Sequence, residues 1–108
     1  MQKLLLAEDV FDALENGKKT TIREGRRDIA IGKLLFESTE QKRTEVVNVI
    51  MVSYCRLGNV FIGDIQNDGF KDHDDMWRQM LRFYPDIDFD TEVTVVKFTS
   101  GKIPPIKY

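Results

Sequence analysis

Apolar residues along this chain fall into short runs, separated by polar stretches punctuated with glycine, and the spacing inside each run predicts the element. Residues 2–7 begin with an apolar run that suits a strand. From Asp9 to Asn16 the spacing changes: Val10, Phe11 and Leu14 share one face of a short helix. Gly17 is placed to end that helix in a left-handed conformation. Thr20, Thr21 and Ile22 predict a strand. Residues 24–32 read as a loop between glycines. Leu34, Leu35 and Phe36 form a short buried strand, and 38–44 a polar turn. From Glu45 to Tyr54 the run is nearly continuous in valine and isoleucine, which predicts a long strand covered on both faces.

Residues 55–71 read as a loop, with one extended piece at Val60-Phe61-Ile62. The strongest helical signal lies at 74–84, where Met76, Trp77, Met80, Leu81 and Tyr84 line one face. Asp72 or Asp74 can cap its start, and Pro85 stops it. An acidic connector, 86–90, leads to a last strand over 91–99. The whole predicts one α+β domain over 1–99, a small β-barrel with two peripheral helices and a cleft near the first of them. Residues 100–108, with Gly101, Pro104 and Pro105, read as a flexible tail.

Composition narrows the function classes. The chain has 108 residues and a formal net charge of -2, so bulk charge gives no argument for non-specific nucleic-acid binding. The single Cys55 cannot form an internal disulfide, which points to a reducing compartment, the cytoplasm. With His73 as the single histidine, a zinc site falls short of its three or four ligands. No cofactor and no metal are expected. No apolar run approaches the length of a membrane span, so no membrane partner is expected either.

Against that acidic background, residues 17–27 stand out. They carry Lys18, Lys19, Arg23, Arg26 and Arg27 against the single acid Glu24. The functional reading is a surface for phosphate or nucleic acid. The plain reading is a helix C-terminus that attracts cations, followed by a solvated loop. Thr21 and Arg23 are two apart and point to one face of their strand. Lys18, just upstream, can fold over that face. A lysine that is desolvated or set beside an arginine gives up its proton more readily and can serve as a base. Tyr54, Phe61 and Phe70 are candidates to stack a base, although Phe61 and Phe70 read first as core. Trp77 reads as core. Asp68-Gly69 reads as a tight turn. Asp72, Asp74 and Asp75 read as caps and solvated surface, and Cys55 as a buried small side chain.

The segment Asp12–Arg23, with Lys18-Lys19-Thr20-Thr21-Ile22-Arg23 at its centre, resembles the signature of the ASCH family, a short helix running into a Lys-x-x-Thr-x-Arg strand. Asp68-Gly69-Phe70, the helix ending Phe83-Tyr84-Pro85, and the strand Val93-Thr94-Val95-Val96-Lys97-Phe98 extend the likeness over residues 8–98. The resemblance implies a PUA-like α+β barrel, the ASCH fold, of the kind found standing alone in bacteria and phages. It implies RNA or a modified nucleoside as the partner. The basic loop would hold phosphates through Lys19, Arg26 and Arg27, with Arg23 against a base.

Some ASCH proteins remove the acetyl group of N4-acetylcytidine. Carried over by motif, that implies Thr21 as nucleophile, Lys18 as base, Asp68 as the orienting carboxylate and Arg23 at the oxyanion. Aspartate here stands where the family has glutamate. A third option is a protein-binding inhibitor module that uses the acidic stretches 72–75 and 86–92.

Overall fold

Five strands form one sheet in the computed structural model, which describes residues 1–15 and 17–100. The strands are β1 (Gln2–Leu6), β2 (Thr20–Glu24), β3 (Gly32–Ser38), β4 (Thr44–Arg56) and β5 (Glu92–Ser100). Three helices accompany them: α1 (Glu8–Glu15), α2 (Ile62–Asp68) and α3 (His73–Met80). The order across the sheet is β1-β3-β4-β5-β2. Only β1 and β3 run parallel; every other neighbouring pair is antiparallel. The sheet is a half-barrel whose edges are β1 and β2.

Two cores lie on its two faces. One gathers Leu6, Phe11, Leu14, Leu34, Phe36, Val47, Val49, Val96 and Phe98 under α1. The other gathers Ile22, Ile65, Met76, Met80, Val93 and Val95 with Leu57, Val60 and Ile87, under α2 and α3. β5 serves both, because its alternate residues point to opposite faces. Val93 and Val95 enter one core, Val96 and Phe98 the other. That explains why Val93, Val95, Val96 and Phe98 are all buried.

Several local expectations change. β4 alternates instead of being covered on both sides, with Val46, Ile50 and Met51 exposed. A register shift between Val49 and Met51 marks an irregularity in its pairing with β5. The stretch 55–71 is not a loop. It holds a 3-10 turn at Leu57–Asn59 and then α2, which Gly69 ends at φ 103°. The molecule therefore has three α-helices among its described residues. Phe61, expected in the core, is 67% exposed. Asp72 caps α3, its side chain accepting from the Asp75 N–H. α3 is shorter than its apolar spacing suggests and continues as turns to Tyr84. Asn16 and the tail beyond Ser100 lie outside the described residues. No helix among the described residues is long and apolar enough to cross a membrane.

Candidate functional site

Lys18 sits where three elements meet. Its backbone N–H donates to the Ala13 carbonyl of α1 at 3.0 Å, and the next N–H, of Lys19, donates to the Asn67 carbonyl of α2 at 3.0 Å. Gly17, at φ 102°, makes the sharp turn that delivers the chain from α1 into β2. These bonds fix the entry to β2 against the C-terminal turn of α2. The Lys18 side chain then has little freedom. It forms an ion pair with the Asp68 carboxylate, and the two side chains are only 2% and 5% exposed. Its Nζ also lies 3.4 Å from the Asp68 carbonyl oxygen.

Thr21 and Arg23 share a face of β2, as their spacing requires. The Arg23 Nε donates to Thr21 Oγ1 at 3.2 Å. The threonine oxygen is thus an acceptor, which leaves its own proton free to be given away. Arg23 Nη2 is enclosed and has no hydrogen-bond partner among the described residues. Lys18, Thr21, Arg23 and Asp68 all line one cavity of about 360 Å³. Apolar walls from Leu6, Val10, Ala13, Phe70 and Met80 complete it, and Tyr84 joins Arg23 in the lining. At the same cavity, Asp9 of α1 and Arg82, just beyond α3, are joined at 2.9 Å.

The electrostatics follow from burial. Loss of water around the ammonium, and then the Arg23 guanidinium nearby, bring Lys18 down from its ordinary 10.5 to about 7. The Asp68 carboxylate in contact with the ammonium favours its charged form and acts against that pull. Burial also lowers Arg23; Tyr84 acts against this, and Arg27 adds to it. Arg82 lowers the Asp9 carboxyl, chiefly through their hydrogen bond.

The other basic residues lie apart from this lining. Lys19, Arg26 and Arg27 are exposed. The Arg26 guanidinium stacks over the Tyr54 ring at 3.9 Å and stands 3.7 Å from Glu92. Their loop is nevertheless anchored beside Arg23. The Arg27 N–H donates to Thr94 Oγ1 at 2.8 Å, Thr94 Oγ1 donates to the Gly25 carbonyl at 2.7 Å, and the Tyr54 hydroxyl donates to the Arg27 carbonyl at 2.8 Å.

Of the candidate stacking residues, only Phe70 lines the cavity. Trp77 packs against Phe89 and donates to the Ile87 carbonyl. The His73 Nε2 is 2.8 Å from the Val60 carbonyl. Burial, and then Asp64, push the Cys55 thiol up. Among the described residues, no group of three His, Cys, Asp or Glu side chains is placed to hold a metal ion.

Sequence reasoning missed Tyr84 as a lining residue, because its helical spacing with Met76 and Met80 reads as core. It also missed that Asp9 and Arg82 meet, since they are 73 residues apart. Asp68 gave a signal that could have been used. Asp64 and Asp68 stand four apart before a glycine, the mark of one helix face with its C-terminal stop.

No family model matches the sequence, and no curated protein matches it significantly. Solved structures do match. An ASCH domain from Lactobacillus crispatus JV V101 aligns with a TM-score of 0.61 at 14% identity, over 84% of this chain and 69% of that one. A Pyrococcus furiosus protein solved by NMR gives 0.60 at 15% identity, over 94% and 98%. An Enterococcus faecalis V583 protein of the family DUF984 gives 0.58 at 10%, over 81% of this chain and 63% of its own. The chain is a PUA-like α+β half-barrel. Within that class, its fold is the ASCH fold.

Proposed function

We propose that the cavity is the active site of a small amidohydrolase that removes an acyl group from the exocyclic amine of a nucleoside, with N4-acetylcytidine as the test substrate. The observation that carries this reading is the buried Lys18–Asp68 pair at a cavity that Thr21 and Arg23 also line. Burial and the nearby Arg23 charge push Lys18 toward its neutral form, which is what a general base requires.

Thr21 Oγ1 attacks the acetyl carbonyl carbon and its proton passes to neutral Lys18. The Arg23 guanidinium faces the oxygen on which negative charge develops. The carbon–nitrogen bond breaks, and the leaving amine takes the proton from Lys18. Water then attacks the acetyl–threonine ester and Lys18 accepts its proton. Acetic acid departs and ionises to acetate in water, and the proton on Lys18 returns to Thr21. Asp68 holds the lysine in place throughout. Its carboxylate reaches Lys18 directly, so the aspartate is long enough for that contact.

The test is a chromatographic assay of N4-acetylcytidine with the wild-type protein, Lys18→Ala and Thr21→Ala. Expected are cytidine and acetate from the wild type, and a loss of at least about a thousandfold in each variant, with the circular-dichroism spectrum retained. A folded wild-type protein that leaves the substrate intact sinks the reading.

A second reading draws on the outward cations. Lys19, Arg26 and Arg27 are exposed, and the Arg26 guanidinium and the Tyr54 ring offer a stacked pair against which RNA could bind. It predicts RNA binding that weakens with salt and is lost in the double variant Arg26→Ala, Arg27→Ala. Unchanged binding in that variant would refute it.

A further inference from the structure

We propose that Asp75 and Gln79 form a sugar subsite at the rim of the cavity, where they hold the 2′- and 3′-hydroxyls of a ribose. The proposal rests on the nucleoside reading of the cavity and adds the part of the substrate that the reacting groups leave untouched.

The charges of the lining balance among themselves: Lys18, Arg23 and Arg82 stand against Asp9, Asp68 and Asp75. Lys18 pairs with Asp68, and Arg82 with Asp9. The ligand that fits is therefore uncharged. Asp75 and Gln79 are the polar side chains of α3 that line the cavity, and they stand four apart on one helix face. The Asp75 Oδ2 accepts from the Lys71 N–H at 2.9 Å, in the cap of the helix. Among the described residues, no hydrogen bond takes its Oδ1 or the Gln79 carboxamide. A carboxylate only accepts, so an uncharged ligand must offer it a donor. The carboxamide both accepts and donates. Two neighbouring hydroxyls meet both demands.

Depth orders the site in the same way. Lys18, Thr21 and Asp68 are buried, Asp75 is half-buried and Gln79 is exposed. The chain repeats that order. Asp68 meets Lys18 at the floor, Phe70 lines the wall, and the Lys71 N–H holds Asp75. Asp68 to Lys71 spans at most ~10 Å, the scale of one nucleoside. With the acyl group at the floor and the base along Phe70, the ribose reaches Asp75 and Gln79.

The experiment titrates the full chain with cytidine and with 2′,3′-dideoxycytidine, which has the same base and charge but lacks both hydroxyls. Saturation transfer to the base protons reads each affinity. Cytidine is expected to bind at least about tenfold more tightly, since one of the lost hydrogen bonds goes to a carboxylate. Asp75→Asn keeps an oxygen for the Lys71 N–H and replaces the free acceptor with a donor. Gln79→Ala changes an exposed helix position to a good helix former. Each variant lowers cytidine toward the dideoxynucleoside, whose own affinity stays as in wild type. Equal affinity of the two ligands overturns the proposal, and so does the absence of cytidine binding. Variants that weaken both ligands alike also overturn it, because Asp75 and Gln79 would then be structural. The hydrolase reading fails separately: a protein that prefers cytidine in this way and leaves N4-acetylcytidine intact loses the hydrolase and keeps the subsite.

Discussion

Lys18 and Arg23 belong to the same basic stretch as Lys19, Arg26 and Arg27, yet the fold treats the two sets differently. The first pair faces inward from β2 and its approach, Lys18 buried and Arg23 half-buried at the cavity. The others face outward or ride on the loop that follows. In the inward pair, burial strips water from Lys18 and partly from Arg23, and the arginine charge acts on the lysine. That moves Lys18 to about 7 and leaves Arg23 with an unmet donor. In the outward set, Arg26 keeps its hydration and has only a stacked ring and an exposed glutamate as neighbours. A basic run in a sequence therefore mixes two kinds of cation, and burial separates them. Chemistry is expected from the dry pair, and surface attraction at most from the wet ones.

The sharpest way to break this contrast is to remove the carboxylate that makes burial of Lys18 tolerable. Asp68→Asn leaves the ammonium enclosed with an arginine nearby. Activity on N4-acetylcytidine is expected to fall by about a hundredfold or more, because the base loses its orientation. Stability falls too, and the loss depends on pH. Breaking a buried pair costs about 3–5 kcal/mol when the surviving charge stays charged. Lys18 can escape that cost by losing its proton, so the deficit against wild type is largest below pH 7 and shrinks as pH rises. Denaturant titrations at acid, neutral and alkaline pH check this. A deficit independent of pH would mean that Asp68 acts by shape and not by charge.

A second test reads the lysine through linkage. Its folded value lies below its unfolded one, so between about 7 and 10.5 the unfolded chain binds more protons than the folded chain. Stability then rises with pH across that window and carries the full penalty below it. Cys55 works the other way: it is raised above its ordinary 9.0 and gives a falling slope there. The comparison with Lys18→Met cancels the thiol, and the expected difference is a rise with pH in wild type that the variant lacks. Parallel curves for the two proteins would mean that the Asp68 carboxylate fully offsets the burial of Lys18.

How much of this is legible in the sequence depends on which rule each element obeys. β2 obeys alternation, so spacing alone assigns Thr21 and Arg23 to one face. α3 obeys helical spacing and has an N-cap at Asp72; the spacing finds the helix and overruns its end, where turns carry the apolar period on to Tyr84. The α+β architecture follows from the order of the runs. α2 obeys neither rule. Its buried face is Asp64, Ile65 and Asp68, so two of the three buried positions carry acids, and the apolar period vanishes. Gly63 and Asn67 are also poor helix formers. Those acids are buried because each has a lysine: Asp68 holds Lys18, and Asp64 lies 3.1 Å from Lys97. The rule fails where buried charge replaces apolar surface, which is where functional residues break local consistency. Long-range meetings such as Asp9 with Arg82 have no local signature at all.

The smallest effect is expected on the outward side, and it is the most useful check on the contrast. Tyr54 supports the Arg26–Arg27 loop twice, by its ring under Arg26 at 3.9 Å and by its hydroxyl, which donates to the Arg27 carbonyl at 2.8 Å. Tyr54→Phe keeps the ring and removes the hydroxyl. The freed carbonyl lies near the surface and can turn to water, so the loss of stability is expected to stay below about 1 kcal/mol. Activity on N4-acetylcytidine should change less than about twofold, because the loop touches the cavity only through its neighbour Arg23. If turnover drops as far as in Asp68→Asn while stability holds, the loop is fixing Arg23 rather than merely covering it. The outward cations would then belong to the site, and the boundary between wet and dry charge would have to be redrawn between Arg27 and Arg26 instead of between Arg23 and Arg27.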